Sequence, residues 1–113
     1  MEGLRFDLDF RITELKNSMK ESMNMQLMEV EKCIVDFENH VVKRTIPINI
    51  TIQLALIVDL SREILIQGHG VKHIVVGEMN DESDYDCYVN YHKNLSQLLK
   101  RLNQLNDLID NQT

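Results

Sequence analysis

The feature that most constrains the fold is a stripe of apolar residues that runs through the first third of the sequence. Between residues 4 and 41 an apolar side chain recurs every three or four positions, about 3.7 on average, which is the spacing of one helical face. The stripe consists of Leu4, Leu8, Ile12, Leu15, Met19, Met23, Leu27, Val30, Ile34, Phe37 and Val41. A helix over residues 4–42 would be about 58 Å long, whereas a compact chain of 113 residues has a diameter of roughly 35 Å. We therefore predict a long N-terminal helix whose apolar face needs a second chain to cover it.

Some segments also fit β-strands, which leaves an alternative open. Residues 4–12 alternate apolar and polar side chains, as a half-buried strand does, and in that case the helix begins at residue 14. Residues 45–52 alternate in the same way and are rich in β-branched Ile and Thr. The apolar run within 71–79 predicts a short buried strand. The fold class is therefore mainly α with a small β element, or alternatively α+β with strands near 4–12, 45–52 and 71–79.

Two more helices follow from the spacing of apolar residues. A central helix is predicted from about Ile50 to Gln67, with Gly68 placed to end it. A C-terminal helix begins at a capping box formed by Ser83 and Asp86. Its apolar residues then recur with a strict heptad period, which predicts coiled-coil-like packing. They are Tyr88, Tyr91, Leu95, Leu98, Leu102, Leu105 and Ile109.

Composition excludes several classes of function. The chain has 12 Lys and Arg against 18 Asp and Glu, a net charge of −6, so we do not expect it to bind nucleic acid. The two cysteines are far apart in the sequence, so we expect no disulfide framework. The sequence does not begin with the basic and apolar segments of a secretory signal peptide, which predicts a cytoplasmic protein. The longest apolar run, Leu54–Val58, is far too short for a membrane span. Because no linker or repeat divides residues 1–113, we expect one domain.

A candidate ligand site lies after the central helix, at Gly68, His69, Gly70 and His73. Two histidines four residues apart can share a metal on a helix, but the flanking glycines disfavour a helix and no second pair has ligand spacing. The glycines could also let a phosphate approach the backbone, although the order of elements is reversed from that of a dinucleotide site. We expect no metal and no cofactor, and a turn that ends the helix explains both glycines.

A candidate site for a protein partner lies at the start of the last helix, at Asp84, Tyr85, Asp86 and Tyr88. Tyrosine combines apolar area with a hydroxyl group and is enriched in the residues that dominate binding energy. This acidic and aromatic group is suited to a basic peptide. In the alternative interpretation the acids are a solvated helix start and Tyr88 belongs to the core.

The sequence thus predicts a non-enzymatic interaction protein, a regulator, adaptor or inhibitor that binds another protein and forms a homo-oligomer, most simply a homodimer. No nucleophile lies in a catalytic motif. The residues predicted to mediate self-association are Leu15, Met19, Met23, Leu27, Val30, Ile34, Phe37, Leu95, Leu98, Leu102, Leu105 and Ile109. The alternative function is binding of a small ligand or nucleotide around Gly68–His73 at a subunit boundary.

Overall fold

Four α-helices make up the part of the chain that the structure describes. The structure is a computed structural model that describes residues 2–43, 46–72 and 82–111. The helices are α1 (Glu2–Ser18), α2 (Met23–Lys43), α3 (Ile48–Val71) and α4 (Glu82–Asn111). Among the described residues there is no strand, so the protein is helical, as the dominant pattern of its sequence predicts.

The helices form an antiparallel bundle that measures 50 × 22 × 20 Å. α1 and α3 each pack against both α2 and α4, whereas the backbones of the diagonal pairs, α1 with α3 and α2 with α4, do not approach each other closely. This is the up-down-up-down arrangement of a four-helix bundle. Side-chain contacts join the first half of one helix to the second half of its neighbour: Asp7 with His40, Leu27 with Gly68, Asn94 with Gln67 and Arg5 with Asn106.

The predicted long N-terminal helix is wrong in one respect, because it is divided in two by a turn at residues 19–22. The amide of Glu21 donates to the Ser18 carbonyl (2.9 Å), which tightens the end of α1. The Ser22 hydroxyl then accepts from the amide of Met25 (3.4 Å) and caps α2. A turn of four residues preserves the helical spacing of the apolar side chains, so the stripe continues through it without interruption.

The predicted β element is not seen. Residues 4–12 lie in α1 and residues 48–52 in α3, while Val71 is the last residue of α3; positions 73–79 lie outside the described residues. The exposure of two phenylalanine side chains explains why the alternating pattern of residues 4–12 wrongly suggested a strand. Phe6 and Phe10 are 70% and 47% exposed, so the apolar residues of 4–12 occupy two faces of a helix instead of one face of a strand.

One hydrophobic core joins all four helices. The central helix is confirmed but continues past Gly68 to Val71, since the glycine sits inside the helix against Leu27 and Tyr91. The C-terminal helix is also confirmed, but it begins at Glu82, so Ser83 lies inside the helix and not before its first residue as the predicted capping box requires. Its heptad positions from Tyr91 to Ile109 are buried in the bundle, whereas Tyr88 is half-buried. In the described part of the chain, no helix is both long and apolar enough to cross a membrane.

Candidate protein-interaction surface

The residues predicted to mediate self-association lie inside a single chain. Met19 and Met23 are half-buried and pack against the core, and the other ten are buried: Leu15, Leu27, Val30, Ile34, Phe37, Leu95, Leu98, Leu102, Leu105 and Ile109. The prediction assumed stripes too long for one core. Because the chain turns at residues 19–22, the stripes instead cover one another, and these residues do not form a surface for a second copy while the bundle is closed. Self-association stays a prediction, but it needs other residues.

The residues of the candidate ligand site do not converge. Gly68 is buried, and a Cβ at this position would overlap the Leu27 side chain, so the glycine permits close helix packing. His69 and Gly70 are exposed, with no atom within 4 Å of the place where a Gly70 Cβ would lie. His73 lies outside the described residues. The described part of the chain contains no cluster of three or more metal-ligating side chains.

The acidic and aromatic residues near the start of α4 point in different directions. Tyr85 is 59% exposed and Asp86 is exposed, whereas Tyr88 is half-buried and packs edge-on against the His92 ring at 4.5 Å. The Asp84 side chain lies outside what the structure describes. The interpretation of Tyr88 as partly a packing residue fits this geometry, and a partner site at Tyr85 and Asp86 stays a prediction.

An apolar surface that the sequence reasoning missed lies on the outer side of the α1–α2 hairpin. The rings of Phe6 and Phe10 are parallel within 4°, with centroids 6.4 Å apart, and both are exposed to solvent. The Arg11 guanidinium lies 4.5 Å from the centre of the Phe10 ring, which favours a cation–π contact. Arg11 also lines an open groove with Met28 and Val35, which are 49% and 57% exposed. We call Phe6, Phe10, Arg11, Met28 and Val35 the hairpin surface.

A buried ionic network holds the Arg11 side chain in place. Arg11 is only 7% exposed, and its Nη1 donates to Glu29 Oε2 at 3.2 Å. Its Nε lies 3.2 Å from Asp36 Oδ2, but the N–H is not aimed at that oxygen, so this contact is an ion pair without a directed hydrogen bond. The other oxygen of Glu29 accepts from Lys32 Nζ (3.2 Å). A buried charge is tolerated when it is paired in this way, and the pairing leaves the guanidinium little freedom beneath Phe10.

The spacing of residues in α1 contains the signal for this surface. The buried positions of α1 are Leu4, Leu8, Arg11, Leu15 and Ser18, which advance in heptad steps of four and three. The predicted apolar stripe contains Ile12 at this level of the helix; Ile12 is half-buried and packs against the core, whereas Arg11 is buried. With Arg11 inside, Phe6 and Phe10 lie on the outer side of the helix, one turn apart.

Among the described residues, the titratable groups with displaced pKa values are all held neutral near pH 7. Burial raises the pKa of the Cys33 thiol to about 12, against the weaker opposing effect of the nearby Arg11 charge. Burial also raises the pKa of Tyr91 to about 12, and its hydroxyl donates to Gln26 Oε1 at 3.0 Å. Burial lowers the pKa of His92. A thiol that stays protonated is a poor nucleophile, so these shifts are typical of a packed core.

Comparisons with protein-family models, with curated proteins and with solved structures find no match to this chain.

Proposed function

We propose that this protein is a non-enzymatic interaction protein whose hairpin surface binds an amphipathic segment of another protein. The observation that carries the proposal is the parallel, exposed Phe6 and Phe10 pair beside a groove lined by Met28 and Val35. Contiguous apolar surface of this kind is uncommon on monomeric proteins and is often a site of association.

The hairpin surface is prepared for binding by the network beneath it. Phe10 rests on the Arg11 guanidinium, which is itself fixed by Glu29 and Asp36. A partner therefore meets rings whose positions are already restricted, and less conformational entropy is lost on association. Met28 is more adaptable, because a thioether side chain has three rotatable bonds and fits varied shapes.

Charge indicates what the partner carries around its apolar residues. Residues 2–43 contain nine acidic and six basic side chains. Glu14 follows Phe10 by one helical turn, and Glu31 lines the groove. The cations of the groove, Arg11 and Lys32, are already paired with carboxylates of α2. A partner segment with apolar residues on one side and lysine or arginine at its margins complements this surface, because opposite charges at the rim accelerate association and select the partner.

The experiment measures binding with and without the aromatic pair. Proteins captured from the native source by the wild-type chain are identified, purified and titrated against the chain by calorimetry. Phe6→Ala/Phe10→Ala removes two exposed rings and leaves the core intact. We expect it to weaken binding by about 30-fold or more, as loss of a dominant contact does.

Ile66→Ala is the matched control, because Ile66 is an equally exposed apolar residue (75%) on α3, away from the hairpin surface. We expect it to bind the partner like the wild type. Glu31→Lys tests the charge argument and should weaken binding further as the salt concentration falls. If the purified partner binds the double alanine variant as tightly as the wild type, the hairpin surface is not its site.

A further inference from the structure

A second exposed apolar surface lies on the outer side of α3, and it differs from the hairpin surface in its charge. Residues 45–58 contain no charged side chain at all. Within this segment Ile48, Ile52 and Leu56 are 74%, 52% and 45% exposed. They follow one another at intervals of four residues, so they form a continuous ridge along the first half of α3.

The end of α2 extends this ridge. Val42 is 72% exposed, and it lines a groove together with Ile46 and Ile48 where α2 gives way to α3. We call Val42, Ile48, Ile52 and Leu56 the α3 face. Their exposed fractions correspond to about 400–500 Å² of side-chain surface, in the range of the largest apolar patch of a typical monomer.

We propose that the α3 face is the surface through which two copies of this chain associate about a two-fold axis. The chain has a net charge of −6, so most ways of bringing two copies together oppose like charges. Residues 45–58 contain no charged side chain, so the centre of the α3 face carries no ion that self-pairing would bury. Asp59, Glu63 and Arg101, which line a groove with Leu56, lie at the end of the face. A two-fold axis brings the same patch of both copies together, which this uncharged face allows.

The exposed area of the α3 face also supports a second copy of the chain as its partner. A stable interface buries about 800 Å² on each partner, and the four apolar side chains supply roughly half of that at its centre. Asn49, Thr51 and Gln53 on the same segment are polar but uncharged, and they provide a rim that can form hydrogen bonds between copies. Ridges of residues four apart pack into one another at a crossing angle of about −50°, so we expect the two α3 helices to cross and not to form a long coiled coil.

This proposal does not depend on the partner proposed for the hairpin surface, and it relocates the predicted homodimer from core residues to exposed ones. The test is sedimentation equilibrium of the wild-type chain at micromolar to submillimolar concentrations. We expect a concentration-dependent dimer. Ile52→Glu places a charge at the centre of the α3 face on both copies and should raise the dissociation constant at least ~100-fold.

Ile66→Glu is the matched control, because it introduces the same charge at an exposed position of α3 that lies about 21 Å along the helix from Ile52, beyond the end of the α3 face. It should leave the dimer intact, and circular dichroism should show unchanged helical content in both variants. A wild-type chain that remains monomeric over the whole concentration range, or a dimer that persists in the Ile52→Glu variant, would overturn the proposal.

Discussion

Replacing Gly68 by alanine tests the helix packing at the end of the bundle where α2, α3 and α4 meet. A Cβ on Gly68 would overlap Leu27 Cδ2 and lie 3.0 Å from Tyr91 Cε2. Neither neighbour is free to withdraw. Leu27 is 5% exposed, and Tyr91 is fully buried with its hydroxyl bonded to Gln26.

Two opposing effects set the change in the free energy of unfolding that Gly68→Ala causes. Alanine is a better helix former than glycine by up to about 1 kcal/mol, whereas forcing an extra carbon into a packed core costs about 1–3 kcal/mol. Gly70→Ala provides the matched control, since Gly70 is exposed in the same helix and an added Cβ meets nothing within 4 Å. The difference between the two variants isolates the packing cost. We expect Gly68→Ala to be less stable than Gly70→Ala by about 1–3 kcal/mol.

The assay is urea denaturation followed by circular dichroism. Each of the two alanine variants is also prepared in combination with Leu27→Ala, which removes the side chain that the new Cβ would overlap. In that background the difference between the two alanine variants should shrink, because the space is then available. If Gly68→Ala matches Gly70→Ala in free energy of unfolding with Leu27 present, the close approach of α3 to Leu27 is refuted.

Three further predictions concern the buried polar groups. Arg11→Leu should lower the free energy of unfolding by up to about 3–5 kcal/mol, because buried Glu29 then keeps only the partly exposed Lys32 as its cation, and adding Glu29→Leu should recover much of the loss in urea denaturation. Tyr91 has a folded-state pKa of about 12 against an ordinary value of 10.0, so it contributes stability that is lost as the pH rises between those values. Tyr91→Phe should therefore lose less stability on alkalinisation than the wild type, and equal pH profiles would contradict this. Iodoacetamide should modify exposed Cys87 in the native protein and buried Cys33 only in urea, as mass spectrometry of peptides would show.

The two proposed surfaces are centred on different helices. The aromatic pair of the hairpin surface lies on α1, and the ridge of the α3 face lies on α3, which is diagonal to α1 in the bundle, while α2 contributes residues to both surfaces. A dimer centred on Ile52 and Leu56 therefore leaves Phe6 and Phe10 of both copies exposed. Such a dimer would bind two partner segments at once, and a partner with two such segments would gain affinity from the linkage.

Helical spacing in the sequence predicted most of the core. Leu8, Val30, Phe37, Leu98 and Leu102 are all fully buried, as the apolar stripes predict. Prediction failed where the local pattern allowed two outcomes. Alternating apolar residues fit either a strand or a helix with apolar side chains on two sides, and only packing decides between them.

The candidate site was less predictable than the core. Phe6 and Phe10 resemble core residues in the sequence, and Arg11 resembles a surface residue, but the structure exchanges these roles. A charge can be buried only if carboxylates from another helix reach it. Glu29 and Asp36 lie 18 and 25 positions away in the sequence, and no local pattern shows that they meet Arg11.

The sequence by itself determined that the chain is mainly helical and which residues form most of its apolar faces, because helical periodicity depends only on local spacing. The tertiary structure decided what those faces cover. The turn at residues 19–22 folds the first stripe back against the rest of the chain, so that the core closes within one copy. The physical reason is that a turn of four residues leaves the apolar period unchanged while it reverses the direction of the helix. What remains exposed, the hairpin surface and the α3 face, is therefore set by packing.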